Sequence, residues 1–309
     1  MGELIYNGLS VIFGSTMIDS IDSWMTKILD ILQNSFAEIF SNDAFHFLQI
    51  MAVSLLIINY FWDLSSQASR DMITLEKLVS SLVRLFIGVA ILLYLPDLLD
   101  HIFKLGAALY HVVHNSAQER TMQNITIFGQ HEWPEYEAEI NFNGSKTTAK
   151  ELIEQAFGKF SITNFISNLY CCLLSLIMML LCMIAKIAGY LLITSNAVNL
   201  IIRAFIAPIG VVNIFDDSSR SSGVRYLKKF AAAALTFAAM SLALWGTSVI
   251  SENLLASTVA DAVGSAEITP DNLKKLFSLG TMVEAVVIQF AGIGALAAVK
   301  TIADDAMGA

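Results

Sequence analysis

The sequence predicts an all-α polytopic membrane protein, because the chain is strongly apolar, carries few charges and contains several apolar runs of membrane-spanning length. Of its 309 residues, 56% are hydrophobic and 15% are charged, and the mean hydropathy is +0.64. Ordinary soluble domains are about 45–50% apolar and about 25% charged. The net charge of −9 argues against a nucleic-acid-binding surface, which needs clustered Lys and Arg. The composition therefore excludes most soluble enzymes.

The first 43 residues, 1–43, are expected to lie outside the membrane as an amphipathic N-terminal region. Residues 1–16 carry Glu3 and no Lys or Arg, so the basic region of a cleavable signal peptide is missing. Residues 17–40 repeat apolar side chains every three or four positions, which predicts an amphipathic helix. This helix either lies on the outer leaflet, with Trp24 as an interface anchor, or packs on a neighbouring subunit.

Five apolar runs are long enough to cross a bilayer, whose core of about 30 Å needs about 20 residues of helix. The predicted spans are 44–62, 82–99, 169–191, 230–250 and 279–299. The first two belong to the segment 44–99, and the other three form a C-terminal membrane core, 169–309. All three cysteines lie in the third run, and we interpret them as small buried apolar side chains rather than as a disulfide or zinc framework.

The stretch after the third run, 197–215, is apolar but contains Asn199, Arg203 and Pro208. A proline removes a helical hydrogen-bond donor and clashes with the preceding turn. We therefore expect a re-entrant or interfacial helix that breaks near Pro208 and returns to the side from which it came. The alternative is a sixth full span.

The distribution of Lys and Arg predicts the orientation of the chain. The short loop 216–229 carries four cations: Arg220, Arg225, Lys228 and Lys229. Together with 63–81 and 300–309, this loop has a density of Lys and Arg about threefold higher than the segments on the other side. The prediction is a chain with five crossings, its N-terminus outside and its C-terminus in the cytoplasm.

The longest predicted loop, 100–168, contains signals of small folded elements on the outer side. Asn143-Gly144 is typical of a hairpin turn, and Glu139–Phe142, with Ile125 and Ile127, predicts a small strand pair. The segment 147–160 predicts a helix.

The cap of that helix is expected at Thr147 or Thr148. In the second outer loop, 251–278, Pro270 is typical of the first position of a helix. Three aromatic residues on the outer side are candidate contacts for an extracytoplasmic partner: Trp24, Trp133 and Tyr136.

Ionisable side chains inside predicted spans are by default candidates for function. Arg84, Asp97, Lys186 and Glu284 all lie within reach of a membrane surface, and Arg203 lies in the segment with the predicted break. The sequence contains no metalloprotease, hydrolase or phosphate-binding motif. We therefore expect a protein that is not an enzyme and that has no catalytic residues, no metal site and no cofactor.

The last two predicted spans are rich in small residues, with alanines throughout 230–250 and Gly292 and Gly294 in 279–299. Small residues allow the backbones of transmembrane helices to approach closely. They indicate close packing either within the chain or between subunits. Trp245 is either an interface anchor or a packing residue in the same region.

Residues 197–250 carry a pattern that can be compared with a known family. Arg203 to Gly210 read RAFIAPIG, and Asp216-Asp217, Gly223 and then RYLKKF (225–230) follow before the alanine-rich span. This pattern resembles the TrbL/VirB-type polytopic channel subunit of type IV secretion systems, which conjugation machines use. The predicted topology, with a large outer loop and about five spans, is similar to that family.

The resemblance implies a non-catalytic subunit that forms a homo-oligomer, with a pentamer as one candidate stoichiometry, around or beside the path of translocated DNA or protein. It implies contacts with membrane lipid, bitopic assembly subunits, secretion ATPases and a component of the pilus tip or base. Carried over residue by residue, it marks candidate contact residues: Arg203, Pro208, Gly210, Gly223, Arg225, Lys228 and Lys229.

The basic loop is expected either to dock an ATPase or the cytoplasmic leaflet, or to reflect only the bias of positive charge toward the cytoplasm. The alternative function is a small-solute transporter or channel with its site at the predicted break near Arg203 and Pro208.

Overall fold

The computed structural model describes residues 2–14, 16–68, 75–117, 125–158, 162–212, 214 and 220–308. Within these residues the chain forms nine α-helices: α1 (Gly2–Phe13), α2 (Thr16–Phe40), α3 (Asp43–Ala68), α4 (Leu75–Leu93), α5 (Leu95–Ala117), α6 (Ala149–Phe157), α7 (Ile162–Val212), α8 (Arg220–Val263) and α9 (Leu279–Met307). It also forms four short strands: β1 (Thr126–Ile127), β2 (Glu139–Phe142), β3 (Ser145–Thr148) and β4 (Glu267–Ile268). The predicted all-α class is confirmed. Arg70 and residues 216–219 of the predicted basic segments lie outside the described residues.

Four of the described helices, α3, α7, α8 and α9, are long and apolar enough to cross a membrane. Two bent pairs, α1 with α2 and α4 with α5, pass the same test only when each pair is taken as one span, so the number of candidate spans is four to six. The predicted number of five lies within this range. These helices confirm the multi-pass character of the chain.

Helix α7 corrects the prediction of a separate helix at 197–215. It runs without interruption through 51 residues with Pro208 inside it, a length of roughly 77 Å at the rise of an α-helix. A proline costs one helical hydrogen bond, yet the helix continues through this position, where Ala204, Ala207 and Pro208 are buried. The chain therefore neither breaks nor reverses at Pro208.

A second difference concerns the predicted span 82–99, which contains a bend of 57° between α4 and α5. Pro96 has no N–H to donate to the carbonyl of Leu92, four residues earlier. The side-chain amide of Gln49 on α3 donates to that carbonyl instead, at 3.1 Å. A side-chain hydrogen bond thus satisfies the carbonyl that is freed at the bend. The hydropathy of the run alone does not predict this bend.

Helix α2 forms as predicted, but its apolar face is covered by the chain itself. Met17, Ile21, Met25, Leu29, Leu32 and Phe36 are each at most 2% exposed. An outer leaflet or a neighbouring subunit is therefore not needed to cover this face. The sequence pattern identified the amphipathic helix but not the surface that buries it.

The described residues divide into two compact units. Unit 1 comprises residues 1–25, 113–192 and 240–298, and unit 2 comprises 26–112, 193–239 and 299–309. The core of unit 1 joins α1, α6, the beginning of α7, the end of α8 and the beginning of α9, through buried residues such as Leu9, Leu152 and Leu276. Because α1 packs on α6, the N-terminal helix shares one core with the end of the predicted outer loop.

The small strands of unit 1 match the prediction in part. Strands β2 and β3 form the expected antiparallel hairpin, with Asn143 and Gly144 at φ of 52° and 77°, as a tight two-residue turn requires. Strand β1 instead pairs in parallel with β4, so it joins the two predicted outer loops rather than the hairpin. A short 3-10 helix, Leu273–Phe277, begins three residues after Pro270, so this proline precedes the helix instead of occupying its first position.

The predicted cap of α6 is confirmed at Thr148. Its hydroxyl accepts a hydrogen bond from the backbone N–H of Glu151 at 3.2 Å, and the Glu151 carboxylate accepts one from the Thr148 N–H at 3.3 Å. The Thr147 hydroxyl donates to the same carboxylate at 2.6 Å. This reciprocal arrangement fixes the start of the helix directly after β3.

We expect Thr148→Ala to lower the local stability of α6 by about 1 kcal/mol, as loss of a capping side chain usually does. Hydrogen bonds from Thr147 and then from the Thr148 backbone lower the pKa of Glu151 below its ordinary value of 4.5. The stabilisation by Glu151 is therefore present above that value and is lost as the pH falls through the lower folded-state pKa. Amide hydrogen exchange of α6 measures both effects, and Glu132→Gln, at an exposed position of the same loop, is the control that should change neither.

Candidate functional site

The candidate site lies in unit 2, where residues 196–212 of α7, with Ile214 beyond the end of the helix, lie antiparallel to residues 220–236 of α8. We call this region the α7–α8 crossing. The amide of Asn196 donates to the carbonyl of Ala233 at 3.3 Å, and the Tyr226 hydroxyl donates to the carbonyl of Arg203. Both bonds join positions seven residues apart on each helix, so they lie two turns apart on one pair of facing surfaces. They hold the two helices in a defined register.

Glycines at two positions of the α7–α8 crossing allow the helices to approach closely. A Cβ atom at Gly210 would lie 2.6 Å from the ring of Tyr226, and one at Gly223 would lie 2.4 Å from the side chain of Ile214. Neither position has room for a larger side chain unless its neighbour moves. Gly210 and Gly223, both marked by the family resemblance, therefore act here through helix packing.

Arg203 and Pro208 have structural surroundings in α7. Arg203 is half-buried and its guanidinium Nε donates to the side-chain carbonyl of Asn199 at 3.1 Å, within the same helix. Pro208 is buried. Because α7 is continuous here, the broken backbone on which the alternative transporter site depended is not present.

The cations at the start of α8 are the part of the α7–α8 crossing that faces outward. Arg225 and Lys228 are exposed, and Lys229 is half-buried. A Cβ atom at Gly308 would lie 3.6 Å from the Lys228 ammonium, so the end of α9 lies beside the start of α8.

The other predicted contact residues belong to unit 1. The rings of Trp133 and Tyr136 each lie 5.6 Å from the ring of Tyr6 on α1. Both are half-buried, so only part of each side chain is open to a partner. Burial, followed by the carboxylates of Glu154, Glu3 and Glu137, raises the pKa of Tyr136.

Trp24 and Trp245 are the two remaining tryptophans of the prediction, and both are in unit 1. Trp24 stacks on Tyr190 with a ring separation of 5.0 Å, and the Lys186 ammonium lies 5.8 Å from the Tyr190 ring. Trp245 is 43% exposed on α8. The role of these residues in partner contacts remains a prediction.

Tyr226 and Asn196 are the important residues that the sequence did not identify. Tyr226 stands between basic residues in the pattern RYLKKF, where the charges are the more conspicuous signal. Asn196 is a polar side chain in a largely apolar helix. Such side chains often form hydrogen bonds to a neighbouring helix, so Asn196 could have indicated that this stretch packs against another helix.

We expect Tyr226→Phe to destabilise unit 2 by about 1 kcal/mol, because the carbonyl of Arg203 loses the hydroxyl that donates to it. Unfolding of the purified chain in mixed micelles measures the change. Tyr94→Phe is the matched control, since Tyr94 is 70% exposed. Equal free energies of unfolding for the two variants would contradict a stabilising role for the Tyr226 hydroxyl.

Comparison with family models, with curated proteins and with solved structures finds no match.

Proposed function

We propose that the chain is a non-catalytic channel or scaffold subunit of a type IV secretion system, which assembles with copies of itself around or beside the path of the substrate. The observation that carries the proposal is the α7–α8 crossing. The two stretches on which the family resemblance rests, Arg203–Gly210 and Gly223–Phe230, are separate in sequence. In the fold they contact each other through Tyr226, Gly210 and Arg203. The resemblance therefore corresponds to one packed element.

The proposed location is the bacterial cytoplasmic membrane, with the basic start of α8 and the end of α9 in the cytoplasm. The bias of Lys and Arg supports this orientation. The contact between Lys228 and the region of Gly308 supports one common side for these two segments. The large outer loop, α1 and β4 would then face the extracytoplasmic space together.

Assembly with other copies is proposed to use helix faces that the chain leaves open. Gly280 and Gly294 on α9 and Gly246 on α8 have no atom within 4 Å of the position of a Cβ. Exposed small residues allow a second helix to approach closely in a membrane. The faces carrying these glycines are thus available for subunit contacts or lipid, while the α7–α8 crossing already uses its own glycines within the chain.

The exposed cations Arg225 and Lys228 are proposed to contact a cytoplasmic partner, for which a secretion ATPase is the candidate that the resemblance implies. The outer surface of unit 1, including the exposed parts of Trp133 and Tyr136, is proposed to contact bitopic subunits or a pilus component. DNA or protein in transit would contact the assembly only transiently.

The proposal is tested by deleting the gene for this chain from its conjugative element and measuring DNA transfer. Transfer should be lost, and the wild-type chain supplied in trans should restore it. The double variant Arg225→Glu/Lys228→Glu should restore transfer poorly, whereas Lys146→Glu, an exposed charge reversal in the outer hairpin, should restore it fully. Unchanged transfer after the deletion would overturn the proposed function.

A further inference from the structure

One lysine of helix α7 lies beside aromatic side chains in unit 1. The Lys186 ammonium is 5.8 Å from the centre of the Tyr190 ring, one turn further along α7, and Trp24 of α2 stacks on Tyr190 with a ring separation of 5.0 Å. A Cβ atom at Gly189 would lie 2.8 Å from the Ile21 side chain of α2, so α2 and α7 pack closely at this level. We call Lys186, Tyr190 and Trp24 the Lys186 cluster.

The Lys186 cluster carries a positive charge without a carboxylate to balance it. No ion pair joins the Lys186 ammonium to a carboxylate in the part of the chain that the structure describes. Asp22, the acidic residue nearest to Trp24 in the sequence, has its carboxylate 2.8 Å from Nδ1 of His114 instead. Lys186 is only half-buried, so its ammonium can reach an anion or water beside the helix.

The position of Lys186 along α7 indicates that it lies at a membrane surface. Exposed apolar side chains line α7 from Phe165 to Ile184 before it and from Ile187 to Ile206 after it. Each of these stretches is about 29 Å long at the rise of an α-helix, close to the bilayer core of about 30 Å. Whichever stretch crosses, Lys186 lies at one end of the crossing. At the centre of the bilayer, its charge would face hydrocarbon at a high cost in free energy.

We propose that the Lys186 cluster binds the phosphate of an anionic phospholipid, with the Lys186 ammonium as the counter-charge. Tyrosine and tryptophan are enriched at the headgroup level of membrane proteins, because each ring combines an apolar body with a polar end. A lysine near this level extends its ammonium toward the headgroups. A cation between transmembrane helices is also a known means of recognising an anionic headgroup.

A lipid fits the Lys186 cluster better than a soluble phosphate does. Met183, Ile184 and Ile187 are exposed within one turn of Lys186, and the acyl chains of a lipid would cover these side chains. The net charge of −9 opposes a general attraction of anions to the chain, so a preference for an anionic lipid must come from the local site. The inference goes beyond the proposed function and does not depend on it, since a lipid site requires neither assembly nor DNA transfer.

Native mass spectrometry of the full chain in detergent tests the Lys186 cluster, with phosphatidylglycerol or phosphatidylcholine added at limiting concentration. Lys186→Gln should lower the fraction of chains that carry phosphatidylglycerol about fivefold, which is the effect of one cation near an anionic membrane surface. It should leave phosphatidylcholine binding unchanged, which also shows that the variant is folded. Lys186→Arg keeps the charge and should keep the preference for phosphatidylglycerol.

Lys274→Gln is the matched control for the loss of charge. The Lys274 ammonium also lies over a ring, 5.4 Å from the centre of the Phe157 ring, but in the predicted outer loop. Equal phosphatidylglycerol binding by the wild-type chain and Lys186→Gln, or an equal loss in Lys274→Gln, would overturn the site. Glycerophosphoglycerol, the same headgroup without acyl chains, should not displace the lipid at equal concentration. Displacement would assign the site to a soluble phosphate and overturn the lipid.

Spin labels on α7 measure the depth of the Lys186 cluster in liposomes that contain the full chain. In a background with the three cysteines of α7 replaced by alanine, labels are placed at three exposed positions: Leu173, Ile187 and Val198. The label at Leu173 or the label at Val198 should be the deepest, and the label at Ile187 should lie near the headgroups. A profile in which Ile187 is the deepest position would overturn the inference.

Discussion

Replacing Gly106 with valine will disrupt unit 2 more than any other single substitution described for that unit. The new Cβ would lie 2.7 Å from the carbonyl oxygen and 2.9 Å from the carbonyl carbon of Ala234. These are backbone atoms of a helix, so they cannot move away as the end of a flexible side chain could. Helix α5 would have to separate from α8. We expect this to lower the free energy of unfolding by about 3 kcal/mol or more, which is the upper end of the range for overpacked sites.

The measurement for Gly106→Val is the yield of monodisperse protein in detergent, together with its unfolding in mixed micelles. Gly294→Val is the matched control, because a Cβ at Gly294 meets no atom within 4 Å. A valine at that position should be tolerated in the isolated chain. Similar yields and stabilities for the two variants would show that α5 does not pack on α8 as closely as described.

Replacing Gln289 should release the end of α1 from unit 1. The buried amide of Gln289 donates to the carbonyl of Ile12 at 3.1 Å and to that of Gly14 at 3.2 Å, which terminates α1 with a side chain from α9. Gln289→Leu removes both bonds but also removes the side-chain carbonyl oxygen, which is buried without a partner. We expect Gln289→Leu to lower the free energy of unfolding of unit 1 by about 2 kcal/mol.

Gln289→Glu should be more damaging than Gln289→Leu, although it preserves the shape of the side chain. A carboxylate would place acceptor oxygens against two carbonyl oxygens, and its burial would add a desolvation cost. Amide hydrogen exchange of α1 reports the release of this helix. Gln49→Leu, which removes a hydrogen bond to Leu92 in unit 2, should leave α1 protected. The reverse order, with glutamate tolerated better than leucine, would contradict the proposed hydrogen bonds.

The sequence was informative wherever a few neighbouring residues decide the structure. Asn143-Gly144 occupies the positive-φ positions of its turn, and Thr148 caps α6 through Glu151, three residues later. The apolar runs likewise identified the membrane-spanning class, because hydropathy over about 20 residues depends on composition alone. For the same reason, the amphipathic face of α2 could be read directly from its spacing.

Contacts between distant parts of the chain decided the features that the sequence did not predict. Pro208 was expected to break a helix, yet α7 is continuous through it, at a position that is buried within the fold. Strand β1 pairs with β4, about 140 residues away, and two residues carry too weak a pattern to identify that partner. In the α7–α8 crossing, the basic residues were visible in the sequence, whereas the hydrogen bond of Tyr226 to a backbone carbonyl depends on the register of two helices.

The parallel pairing of β1 with β4 also constrains when unit 1 can mature during synthesis. Thr126 and Ile127 leave the ribosome long before Glu267 and Ile268. Gln289, whose side chain donates to the carbonyl of Ile12 at the end of α1, is made later still. A domain of this kind cannot fold as its N-terminal half emerges, although many domains do. Until α7, α8 and the start of α9 have been made, the buried face of α1 lacks its final partners. The newly made segments of unit 1 would therefore need protection from proteases or premature association during that interval.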